Sequence, residues 1–302
     1  MTALHEPATR RHTELSWPLA RALAAGAAAP LPATAVPLRR ARGLALARPL
    51  PGADGELLPA GTVLTPAALG LAASTGHDTL TVHGRPLVAV LITGNRPALR
   101  RTPPPGRPRD ATGPVLRGLI DWAGGRALPA THLPDGVRPL ADALVRAARD
   151  TDAIAVYGAS SPGPADRLGP ALDSLGAQVV VDGVACRPGR PQLLARLRCG
   201  TPVVGLPGDP YAAPAAGVTL LAPLLAALAG RTPPAPRYVR LDTAVGAHRA
   251  DTRLVPVTSR GARVVAVGHD RPGLPWAAAL GDALAVVPPG GAELVELIEL
   301  PR

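Results

Sequence analysis

The chain has 302 residues, a formal net charge of +10, 38 prolines, 33 glycines and no phenylalanine, so any sizeable core must be built from Leu, Val and Ala. All 32 basic residues are arginine, a compositional bias that weakens the charge as a nucleic-acid footprint while still favouring acidic small molecules. With no basic run interleaved with aromatics and only 2 cysteines, neither a nucleic-acid platform nor a disulfide framework or zinc site is expected.

Residues 1–14 are polar, and Glu6 and Glu14 argue against a signal peptide. The pattern predicts a helix over 17–29, a turn leading into a second helix over 36–50, a turn-rich stretch 51–64, and a helix over 66–75 ended by Gly76. From residue 80 the pattern becomes strand, loop, helix. A short strand precedes a buried one, 87–92, that ends at Thr93 and Gly94. A Pro/Arg-rich loop, 100–109, then leads through Asp110 to a helix near 114–123. A helix over 138–149, a strand over 153–157, a helix over 166–175, strands over 177–184 and 201–206, and a helix over 211–229 complete this part. Apolar strands alternating with helices predict a parallel sheet covered on both faces. The proline stretch 231–238 reads as a linker, and the short strands beyond it as a small β-rich domain. The expected organisation is therefore 1–79 helical, 80–232 α/β, and 233–302 β.

Pro210 to Gly230 carries no charge and is formally long enough to span a bilayer. Pro214, Gly217, Pro223 and the abundance of Ala favour a buried helix instead. The expectation is a cytoplasmic protein with its cysteines reduced, and no membrane or nucleic-acid partner.

Three loops follow three strand ends: Thr93-Gly94-Asn95-Arg96, Gly158 to Asp166, and Leu206-Pro207-Gly208-Asp209-Pro210. In such sheets ligands sit beyond the carboxyl ends of the strands. The candidate binding residues are Thr93, Gly94, Asn95, Gly158, Ser161, Gly163, Pro207, Gly208, Asp209 and Pro210. The turn Arg187-Pro188-Gly189-Arg190-Pro191 adds Arg187, Gly189 and Arg190, whose two guanidiniums suit oxyanions. Asp110 and Asp166 could supply the oxygen ligands that Mg²⁺ prefers, and they are the candidate catalytic pair. Each has a plainer alternative. Asp166 and Asp209 can be helix caps, and the arginines can be solvated charges or partners of Asp166 or Asp182. No dinucleotide or P-loop glycine motif is present.

At these loops the chain resembles the molybdopterin molybdenumtransferases, the family that includes the gephyrin C-terminal region. LITGNR resembles the family's strand followed by Thr-Gly-Asp-Glu. GASSPGPAD resembles its Gly-Gly-Val-Ser-Val-Gly-x-x-Asp loop, keeping Gly158, Ser161, Gly163 and Asp166. RPGRP resembles Lys-Pro-Gly-Lys-Pro, and LPGDP resembles Leu-Pro-Gly-Asn-Pro. The resemblance implies a three-layer α/β/α molybdopterin-binding domain with a remnant helical N-terminal segment and a small β-rich C-terminal domain. It implies insertion of molybdate into adenylylated molybdopterin with Mg²⁺ and release of AMP, in a homodimer. The alternative is a non-catalytic molybdopterin-binding, storage or sensing module. Three departures bear on this choice. Asn95 and Arg96 replace an acidic pair, Asp209 replaces an Asn, and the run from Leu50 to Gly61 leaves no room for the family's inserted β domain and its acidic loop.

Overall fold

The computed structural model describes residues 14–52, 55–93, 112–160, 166–210, 212–242, 245–261, 263–268 and 276–300. Its central sheet runs in the order Gln178–Asp182, Leu193–Arg196, Pro202–Leu206, Ala153–Tyr157, Leu87–Thr93 and Arg126–Ala127, with Thr131–Leu133 also paired to Leu87–Thr93. Every residue of Ala153–Tyr157 and Pro202–Leu206 is buried, as continuous apolar strands in a two-sided sheet require. Alternate side chains go to opposite faces. Val88, Val90 and Ile92 join Ala153, Ala155, Val204 and Leu206 beneath the helices Thr112–Trp122 and Ala212–Leu228. Ala89, Leu91, Ile154, Val156 and Val203 face Val137–Asp150 and Leu168–Ser174. The result is a three-layer α/β/α sandwich.

The sheet is not wholly parallel. Leu193–Arg196 runs antiparallel to both Pro202–Leu206 and Gln178–Asp182, forming an antiparallel edge. This strand was not expected, and its neighbour was expected to be longer. The single strand anticipated over 177–184 divides at Gly183, whose φ of +90° bends the chain out of the sheet. Val184–Arg187 then pairs with Leu15–Ser16 on one side and Thr252–Arg260 on the other.

That second sheet is the C-terminal one. Thr252–Arg260, Arg263–Ala266, Arg237–Leu241, Leu294–Glu299 and Ala283–Val287 pair in turn, and the last returns to Thr252–Arg260. Five strands therefore close into a small barrel around Val239, Val255, Val257, Ala285 and Val295. Leu254, Leu284, Val286 and Ile298 point the other way and join the core beneath the α/β part. The barrel is thus fastened to the sandwich by apolar packing and by the borrowed strand Val184–Arg187.

The N-terminal part is less helical than expected. Trp17–Ala25 and Pro66–Ser74 are helices, the second capped by Thr65, whose hydroxyl accepts from Ala68 N at 3.2 Å. In the segment 36–50 only Leu38–Ala41 is helical, and Ala33–Pro37 and Ala45–Leu46 pair with Thr79–His83 in a three-stranded sheet. Leu50–Gly52 and Gly55–Leu58 form a hairpin.

The uncharged helix near the C-terminal end of the sandwich contains a π turn at Gly217–Leu221. Thr219 Oγ1 donates to Ala215 O at 2.7 Å and accepts from Trp17 Nε1 at 3.0 Å, while Arg21 Nη1 donates to Val218 O at 2.6 Å. The carbonyls freed by the wider turn are thus paired, Ala215 O within its own helix and Val218 O to the first helix. Among the described residues no helix is long and apolar enough to cross a membrane.

Candidate functional site

Parallel register sets Ile92 opposite Tyr157 and Tyr157 opposite Leu206, so the carboxyl ends of three strands meet at one edge. Hydrogen bonds to backbone carbonyls lace this edge together. The buried Thr93 Oγ1 donates to Tyr157 O at 3.1 Å, Gly158 N donates to Leu206 O at 3.2 Å, and Tyr157 Oη donates to Gly208 O at 2.6 Å. Gly158 has φ +90°, and a Cβ there would stand 3.1 Å from Thr93 O and 3.2 Å from Thr93 Oγ1. One at Gly208 would stand 3.4 Å from Gly158 Cα. Thr93, Gly158 and Gly208 are therefore in contact. Gly94, Asn95, Asp110, Ser161 and Gly163 lie outside the described residues.

Both aspartates at helix starts act as caps. Asp166 Oδ1 accepts from Leu168 N and Gly169 N, each at 3.0 Å, and Asp209 Oδ1 accepts from Ala212 N at 3.2 Å. Pro207 and Pro210 flank Gly208 and Asp209 and stiffen that turn.

The RPGRP turn has partners that local sequence did not suggest. Arg187 Nε donates to Asp251 Oδ2 at 2.6 Å, and Arg190 Nη2 donates to Asp251 Oδ1 at 2.9 Å. Asp182 and Asp166, the acids weighed as alternatives, are not these partners. Arg190 Nε also lies 3.3 Å from Glu14 Oε1. The Asp251 side chain is 0% exposed, whereas those of Arg187 and Arg190 are 57% and 45% exposed. His248 Nδ1 accepts from Asp251 N at 2.9 Å and from Ala250 N at 3.3 Å, which fixes the approach to the carboxylate. Burial alone would raise the Asp251 carboxyl. Hydrogen bonds from Arg187 and Arg190, with the charge of Arg190, outweigh it and hold the group below the ordinary Asp value.

Gly189 rests on the helix that follows Asp209, where a Cβ would come 3.3 Å from Ala212 O. Ser160 Oγ donates to Pro191 O at 2.9 Å and joins the loop after Ala153–Tyr157 to the turn. A cleft of about 110 Å³ lies between them, bordered by Glu14, Ser160, Asp166, Asp182, Arg190 and Gln192. Of the residues expected from sequence, Asp166 and Arg190 border this cleft. Glu14, Ser160, Gln192 and Asp251 were missed. The partner of Ser160 lies 31 positions away, the arginines that hold Asp251 61 and 64, and the partner of Glu14 farther, with no local spacing to mark them. Gln192, by contrast, bonds at the turn itself, to Gly189 O and Cys186 Sγ.

Cys186 is buried beneath the turn, where Gln192 Nε2 donates to its Sγ at 3.2 Å. Burial, with the nearby Asp251 charge, pushes this thiol up to about 12. Cys199 is exposed, and hydrogen bonding with Thr201 lowers its thiol. A disulfide-exchange reagent at about pH 8 should therefore titrate one thiol in the folded chain and both after denaturation. Two rapidly reacting thiols in the folded chain would contradict the burial of Cys186. Because the folded Cys186 value is raised, its contribution to stability should be full below the ordinary thiol value of 9.0 and fall as pH rises toward about 12.

Residues 89–227 match the family model described as a probable molybdopterin binding domain. Over 159 residues the chain is 35% identical to molybdopterin molybdenumtransferase 2 of Mycobacterium tuberculosis, covering 51% of this chain and 39% of that one. It is 30% identical over 163 residues to the molybdopterin molybdenumtransferase of a Nostoc species, covering 53% and 37%. The chain thus spans about two fifths of the length of these curated relatives. In fold it is similar to the molybdenum cofactor biosynthesis protein of Pyrococcus furiosus, with a TM-score of 0.73, 20% identity, and 94% and 100% of the two chains covered. The molybdopterin biosynthesis moeA protein of Pyrococcus horikoshii gives a TM-score of 0.77 at 13% identity, with 95% and 100% covered. Residues 89–227 thus match a probable molybdopterin binding domain, and about half of the chain is similar in sequence to molybdopterin molybdenumtransferases.

Proposed function

We propose that this chain binds adenylylated molybdopterin at the carboxyl edge of the central sheet, between the glycine-lined strand ends and the RPGRP turn, and inserts molybdate with release of AMP. The observation that carries the reading is the meeting of three strand ends at one edge, next to a rigid turn with two half-exposed guanidiniums. Backbone N–H groups and guanidinium forks are the natural partners of phosphate oxygens. Thr93, Gly158, Gly189, Pro207 and Gly208 would form the floor, with Gly94, Asn95, Ser161 and Gly163 in the adjoining loops. Arg187 and Arg190 would hold the anion, while Asp209 and Pro210 would fix the last turn. A homodimer in the cytoplasm belongs to the same reading, and sedimentation velocity tests the dimer.

Mg²⁺ usually keeps several waters and is held by one or two carboxylates together with substrate phosphates. Among the described residues no three His, Cys, Asp or Glu side chains converge as a metal cage, but Asp166 and Asp182 border one cleft. That donor set suits the lighter mode. Asp166, with Asp110, would hold the ion, which would stabilise charge on the departing phosphate when bound.

The alternative is a binding module without chemistry. It is favoured by the use of Asp166 Oδ1 as a helix cap and by the pairing of both arginines with acids. Calorimetric titration with molybdopterin, followed by measurement of AMP release from its adenylylated form with and without Mg²⁺ and molybdate, separates the readings. Binding with Mg²⁺- and molybdate-dependent AMP release supports the enzyme. Binding with no release leaves the module, and absence of binding rejects both.

Glu14 offers a finer test. Its pair with Arg190 is partly exposed, so it contributes only about 0.2–1 kcal/mol. Glu14→Gln should release Arg190 Nε, leave the bond to Asp251 in place, and tighten anion binding by up to about fivefold, with little change in stability. Weaker binding would show that Glu14 assists the ligand instead of competing with it.

A further inference from the structure

Arg187 and Arg190 reach one buried carboxylate from the two ends of a short turn. Each Asp251 oxygen takes one guanidinium, Oδ2 from Arg187 Nε at 2.6 Å and Oδ1 from Arg190 Nη2 at 2.9 Å. Asp251 is fully buried, its backbone N–H is held by His248 Nδ1, and it immediately precedes the barrel strand Thr252–Arg260. That strand pairs with the turn's own strand, Cys186 opposite Thr252 and Arg187 opposite Arg253. The carboxylate is therefore fixed relative to the backbone that carries the arginines.

We propose that Asp251 is a positioning residue for the anion site. Lending the strand Val184–Arg187 to the barrel brings its carboxylate under the turn, where it orients both guanidiniums before ligand arrives. The inference rests on the reading of the turn as an anion site. Two like charges so close repel each other, and a shared carboxylate between them offsets that repulsion. It grips one nitrogen of each fork, while roughly half of each side chain remains exposed toward an incoming anion. Ordering a long side chain at the moment of binding costs affinity, and side chains ordered beforehand avoid much of that cost.

Charge and positioning make opposite predictions. By charge alone, Asp251→Asn removes a negative group beside two cations and should tighten binding of an anion. If Asp251 positions the arginines, the same change should weaken binding by about tenfold, since two long side chains must then be ordered by the ligand. The probe is inorganic pyrophosphate, titrated calorimetrically into the full chain. Weaker binding to Asp251→Asn supports the proposal. Equal or tighter binding overturns it, as does failure of the unaltered chain to bind pyrophosphate. A second measurement needs no variant. The Arg187 and Arg190 Nε–H resonances should show restricted motion in the ligand-free chain, and mobility like that of other exposed arginines would overturn the proposal. If pyrophosphate behaves as expected and molybdopterin does not bind, the positioning role stands and the functional reading above fails.

Discussion

Replacing Arg187 and Arg190 together by Gln should destabilise the chain by about 3–5 kcal/mol, the range for removing the partners of a buried charge. The value should fall toward the lower end, because both arginines are about half exposed while Asp251 is not exposed at all. From sequence, arginines that grip a phosphate would cost affinity on removal and leave stability nearly unchanged, whereas arginines that are solvated or paired with Asp166 or Asp182 would shift stability modestly and leave affinity unchanged. Their convergence on Asp251 changes that expectation. The thermal midpoint should fall by roughly 6–12 °C at 2–4 °C per kcal/mol. Adding Asp251→Asn to the double variant should restore most of the loss, since no buried carboxylate is then left unpaired. The sign with pH follows from the depressed Asp251 value. Its stabilisation should be complete above the ordinary Asp value of about 3.9 and disappear as pH falls through the lower folded value. The gap between the unaltered chain and the double variant should therefore narrow in acid. A midpoint that does not move at neutral pH would mean that Asp251 finds other donors.

The central strands were legible because burial on both faces writes itself as an unbroken apolar run. AIAVY, LVAVLIT and PVVGL are all such runs, and each lies within or beside a strand read from sequence. Helix boundaries followed from caps and prolines, and the three loops at the sheet edge followed from the order of the elements. What was lost depends on distant pairing. Leu193–Arg196 is four residues long, too short for any period to show, and its strand character comes from neighbours on both sides. Val184–Arg187 continues the apolar pattern of the preceding strand, so nothing local reveals that it joins another sheet. Ala33–Pro37 carries few residues with strong strand preference and begins with exposed positions, so its pairing with Thr79–His83 was equally hidden. Asp251 follows the same logic at the site. An acid 61 and 64 positions from its partners has no spacing signature, yet it decides how the RPGRP turn is held.

Gly158→Ala should be among the most damaging single-methyl changes in the sandwich, costing about 2–4 kcal/mol. Part of that cost is conformational: an L residue in the left-handed region loses roughly 1–2 kcal/mol, and Gly158 has φ +90°. The rest is steric. The new methyl would press on Thr93 O and Oγ1 at 3.1 and 3.2 Å, and Thr93 is only 7% exposed and tied to Tyr157 O through its hydroxyl. Relief requires moving the end of a central strand or breaking that hydrogen bond. Gly76→Ala supplies the control, since Gly76 has a similar φ of +85° but nothing within 4 Å of the added carbon. It should show the conformational cost alone, about 1–2 kcal/mol. Gly208→Ala lacks the positive φ and meets Gly158 Cα at 3.4 Å, an ordinary contact, so it should cost less than either. Urea denaturation of the three variants gives the ordering directly from the midpoints at constant slope. Equal losses for Gly158→Ala and Gly76→Ala would mean that the strand ends yield freely, and the edge would then lack the rigidity on which a preformed ligand floor depends.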